Sequence, residues 1–159
     1  MPTSYRYRLL KGASWGIAIT LTGDSCSAQA VPPGAVPIDG RVWLDLRLGW
    51  QPGEDEIRFL RDGLRLVARN IQQARPGELP ILVRLTGLEF NPCDYQPEGL
   101  AAAAAGWAAE EFGFAGVDIP AEFDRTRRRY IYSFSSLDPG RREERTREDP
   151  IDVLAPPGT

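Results

Sequence analysis

Between Arg41 and Phe90 the spacing of apolar residues changes from two to three-or-four and back to two, which dictates a strand, a helix and a second strand in succession. In the first segment Val42, Leu44, Leu46, Leu48 and Trp50 fall on one face, and Arg41, Trp43, Asp45, Arg47 and Gly49 on the other. Pro52-Gly53 ends that run, and Glu54-Asp55-Glu56 places negative charge where a helix N-terminus favours it. Ile57, Leu60, Leu64, Val67, Ala68 and Ile71 then form one apolar stripe, and Arg75-Pro76-Gly77 should stop the helix. From Ile81 to Phe90, Ile81, Val83 and Leu85 alternate with Leu82, Arg84 and Thr86.

The flanking segments extend this pattern. Trp15, Ile17, Ile19 and Leu21 predict a strand over 14–22 that ends near Gly23, and Tyr5 to Leu9 reads as an edge strand with Arg6 and Arg8 on its exposed face. Residues 24–40 carry Pro32, Pro33, Gly34, Pro37 and Gly40 and read as a long loop. A second helix is expected from Gly99 through the alanines 101–105 to Phe112, capped by Asp94, with Pro97 in its first turn and an end at Gly113 or Gly116. Its small residues suit close approach to a sheet. A last strand over 127–134 sets Tyr130, Tyr132 and Phe134 opposite Arg127, Arg129, Ile131 and Ser133.

Strands that alternate cleanly want one face covered and the other wet, so both helices should lie on the same side. The expected fold is an α+β two-layer sandwich: a mixed four- to five-stranded sheet with two helices on one face. Residues 1–136 form one domain in this reading, and 137–159, mixed in charge and nearly without apolar residues before Ile151, form a flexible tail. The element order β-β-β-α-β-α over residues 5 to about 115 resembles the fold shared by the second domain of ribosomal protein S5 and the fourth domain of translocation elongation factor G. The resemblance rests on element order; no motif of either family is present, so it implies a fold and no residue role.

The chain has no histidine, which removes Ser-His-Asp triads, Cys-His dyads and His-ligated zinc from consideration. Cys26 and Cys93 are too far apart for a paired thiolate motif and are expected to be reduced thiols, so no metal and no cofactor is expected. No run approaches the apolar length of a membrane span, and a cytoplasmic protein without membrane contact is the expectation. The net charge of −3 gives no sign of a general polyanion binder.

Two places offer chemistry. If the open faces of all strands lie together, Arg41, Trp43, Asp45, Arg47, Arg84, Thr86, Arg127 and Arg129 share one surface of net +4. That surface suits a protein partner, or an acidic or RNA partner held by guanidinium forks and indole stacking; alternating Arg and Asp would also suit a homodimer. A solvated face, or one covered by the acidic tail, explains the same residues. The second place is the strand-to-helix segment 89–98, where Glu89 or Asp94 as base and Tyr95 as acid are the acid–base set left without histidine, for a small enzyme or a small-molecule binder. Asp94 as a cap and Tyr95 as a core lid are the structural alternative.

Overall fold

The computed structural model describes residues 1–12, 15–48 and 51–134 of the chain. Five strands, β1 (Thr3–Leu9), β2 (Ile17–Ser27), β3 (Val36–Asp39), β4 (Val42–Leu46) and β5 (Ile81–Phe90), form one sheet in the order β1-β2-β5-β4-β3. Only β4 and β5 run parallel, joined through helix α1 (Glu54–Ala74); the other neighbours are antiparallel. Helix α2 (Gly99–Phe112) follows β5, and a separate hairpin is made of β6 (Ala121–Asp124) and β7 (Arg129–Tyr132). The α+β expectation holds: α1 packs on β3 and β4, α2 packs on β1 and β2, and the helices touch each other.

The core follows the sequence pattern. Ile17, Ile19 and Leu21 of β2, Val42 and Leu44 of β4, and Ile81, Val83 and Leu85 of β5 are buried against Leu60, Leu64, Val67, Ala68 and Ile71 of α1 and Leu100 and Trp107 of α2. The alanines bring α2 close to α1 as well as to the sheet. A Cβ on Gly63 would lie 2.1 Å from the Ala101 carbonyl oxygen, and one on Gly106 would meet the Tyr5 ring at 2.3 Å. Gly113, at φ 72°, ends α2 in the left-handed conformation that favours glycine. None of the described helices is long and apolar enough to cross a membrane.

Several expectations need correction. The region 24–40 is no single loop: β2 continues to Ser27, and the short strand β3 pairs with β4 at the sheet edge. Asp94 does not cap α2; it lies in a single 3₁₀ turn, Pro92–Asp94, which Asn91 caps by accepting from the Cys93 N–H at 3.0 Å. Pro97 sits just before α2, where its carbonyl accepts from Leu100 N–H at 3.0 Å. The last strand is shorter than 127–134 and leaves the main sheet altogether, pairing with β6. Gly49, Trp50 and the tail 137–159 lie outside the described residues.

The hairpin is fastened by one buried amide. The Gln96 side chain donates to the Tyr130 carbonyl at 2.6 Å and accepts from the Tyr130 N–H at 2.8 Å. Tyr130 is fully buried, packs edge-on against Trp15 and Phe123, and donates its hydroxyl to the Trp15 carbonyl. Nearby, the Tyr7 and Tyr132 hydroxyls meet at 3.0 Å, and burial raises the pKa of both phenols above the ordinary tyrosine value.

Candidate functional site: the sheet face opposite the helices

The face of the sheet opposite the helices carries the candidate site. Directly paired residues point to the same side, so the register assigns its members row by row. One row is Cys26, Leu82 and Trp43, the next is Asp24, Arg84 and Asp45, and a third is Arg6, Thr20 and Glu89. Between the second and third, Thr86 is an extra residue on β5: Gly23 pairs with Leu85 while Thr22 pairs with Gly87. A Cβ on Gly23 would sit 2.3 Å from the Arg84 carbonyl, which is why glycine occupies that bulge. The bulge inverts the alternation, so Glu89 joins the open face although simple period-two counting from Arg84 puts it on the core side.

The expected arginine cluster does not assemble. Trp43, Arg84 and Asp45 are on the face, and Arg47, just past β4, reaches Asp45 at 2.9 Å. Arg41 turns away to the C-terminal end of α1, donating to the carbonyls of Leu79 at 2.8 Å, Gln72 at 3.3 Å and Arg75 at 2.6 Å. Arg127 lies in the β6–β7 turn beside Asp124, and Arg129 pairs with Glu98 at the start of α2. Both belong to the hairpin, because the strand they flank never joins the main sheet.

What takes their place was partly visible. Arg6 and Arg8 of β1 are exposed on this face, as their alternation predicts; the pattern does not place Asp24 or the candidate base Glu89 there, because 24–40 reads as loop and Glu89 lies beyond the bulge. Asp24 accepts from the Arg84 guanidinium at 2.6 Å, and that bond raises the arginine's already high pKa. Arg6, Arg8, Arg47 and Arg84 therefore share the face with Asp24, Asp45 and Glu89, and the net +4 surface becomes one of nearly balanced charge. Thr86 donates its hydroxyl to the Thr22 carbonyl at 3.3 Å.

Beside the ionic row runs a small apolar strip. Leu82 is 5% exposed yet is not part of the main core cluster, and half-buried Trp43 does not pack against that cluster either. Their cross-strand neighbours Cys26 and Pro37 complete the strip. Cys26 and Cys93 are both free thiols.

The acid–base set of 89–98 is divided. Glu89 and Asp94 line a shallow concavity of about 580 Å³ at one end of the open face, together with Arg6, Ala18, Thr20 and Asn91. Tyr95 points elsewhere: its ring stacks on Phe90 with centroids 3.9 Å apart, and its hydroxyl donates to Glu56 at 3.1 Å. Burial, then the Glu56 carboxylate, pushes this phenol well above its usual pKa. The chain matches no protein-family model and no curated protein.

Proposed function

We propose that this chain is a cytoplasmic binding domain that engages a protein partner through the sheet face opposite the helices. The observation that carries the reading is half-buried Trp43 and Cys26 flanking the buried Leu82 on that face, with exposed Pro37 beside Trp43 and the Asp24–Arg84–Asp45 row as border. An aromatic anchor on a small apolar patch inside a polar, charge-paired rim is how protein interfaces are built. An RNA partner is the weaker reading, since Arg84 and Arg47 already hold carboxylates and phosphate would have to displace them. Catalysis at 89–98 is weaker too, because Tyr95 is turned away from Glu89 and Asp94.

The test is a photo-crosslinking residue placed in the full chain at Thr86 on the sheet face or at Glu110 on the exposed side of α2, expressed in the source cells. Discrete protein adducts from position 86, absent from position 110 and lost in a folded Trp43→Ala background, are expected. Adducts indifferent to Trp43, or none from position 86, overturn the reading, and a ribonuclease-sensitive adduct transfers it to RNA.

A further inference from the structure

On the open face opposite charges are treated in two ways. In the Asp24–Arg84–Asp45 row they sit on adjacent strands and neutralise one another, Asp24 holding Arg84 at 2.6 Å. In the Arg6–Thr20–Glu89 row they are kept apart. Arg6 on β1 and Glu89 on β5 are two strand spacings from each other, ~10 Å between backbones, and only Thr20 stands between them. With Ala18 and Thr20 as its floor, the trough holds the two charges on opposite walls. Arg6, Glu89 and the Asp94 side chain make no ion pair or hydrogen bond among the described residues.

We propose that this trough receives an arginine side chain of a protein partner, its guanidinium between Glu89 and Asp94 and a neighbouring carboxylate of the partner on Arg6. The inference rests on the reading of the face as a protein-binding surface and names what one end of it recognises. Two carboxylates against one guanidinium make the trough a cation receptor with a counter-charge at its far wall. A planar fork suits two separate carboxylates better than the point charge of an ammonium. Asn91 spends its carbonyl oxygen on Cys93 N–H, so its amide N–H groups remain to donate to the partner.

Two-dimensional amide NMR of the full chain, titrated with the blocked dipeptide acetyl-Arg-Glu-amide, tests this. Saturable shifts confined to Arg6, Thr20 and residues 89–94 are expected in the millimolar range. Glu89→Gln combined with Asp94→Asn should weaken them about tenfold, acetyl-Lys-Glu-amide should bind more weakly, and added salt should reduce the affinity. These positions are at the surface, and the spectrum itself reports whether each variant is folded. No saturation, saturation elsewhere, or shifts unchanged in the double variant overturn the proposal. If Trp43-dependent adducts still form from position 86 in that case, the protein-binding reading stands and only this receptor falls.

Discussion

The α-carbon of Gly63 in α1 faces the backbone of Ala101 in α2 so closely that a single methyl group would lie 2.1 Å from the Ala101 carbonyl oxygen and 2.7 Å from its α-carbon. The obstacle is backbone, which cannot swing aside as a side chain would.

Two effects oppose each other at this site. Helix propensity favours alanine over glycine by about 1 kcal/mol, while forcing two helices apart in a packed core costs about 1–3 kcal/mol or more. Overpacking wins. Gly63→Ala should lower the urea midpoint with little change in slope, and a stabilised variant would show that the helices have slack.

Tyr7 and Tyr132 give the fold an alkaline limit. Both phenols have a folded pKa raised by burial, so the folded state keeps them protonated at a pH where the unfolded chain ionises. Their contribution is fully present below pH about 10, and each further pH unit should cost about 1.4 kcal/mol per phenol held neutral. Tyr132→Phe should make the decline above pH 10 shallower in thermal melts taken across that range. A slope identical to that of the unmodified chain would contradict the buried pair.

Arg41 is expected to matter to stability and not to binding. Removing a guanidinium that serves two carbonyls at the end of α1 and that of Leu79 in the following loop should cost about 1.5–3 kcal/mol, measured by denaturant unfolding of Arg41→Ala. Cross-linking from position 86 should persist in the folded variant. By contrast Arg84→Ala, which breaks a half-exposed pair, should change stability by less than about 1 kcal/mol.

Gln96 holds the hairpin. Gln96→Leu leaves the Tyr130 N–H and carbonyl buried without partners, at about 2–4 kcal/mol. Hydrogen exchange should then speed up in 121–132 while β2 and β5 keep their protection. Equal acceleration throughout would mean that the hairpin and the sandwich unfold as one unit.

The long, strongly periodic elements were legible from the residues alone. The stripe from Leu60 to Ile71 lies against the sheet as its spacing requires, and Ile81–Phe90 is a strand with the boundaries its pattern suggests. Short elements were not: β3 and β6 have four residues each, and Pro37 in β3 reads as a loop signal although a sheet edge tolerates it. The site was harder, for two physical reasons. Alternation tells which face of its own strand a residue occupies but not which sheet the strand joins, so it groups Arg127 and Arg129 with Arg84 although their hairpin is a separate sheet. One bulge residue at Thr86 also reverses the count beyond it and hides Glu89.

The strand order has a consequence for how the chain assembles as it is made. β1 with β2, and β3 with β4, are hairpins of near neighbours, yet each reaches the other only through β5, which is synthesised after all four and after α1. A nascent chain that stops short of Ile81 has two ribbons and an amphipathic helix with no seam between them. The sheet is therefore closed by its latest strand, and its apolar surfaces wait for that strand before they can be buried together.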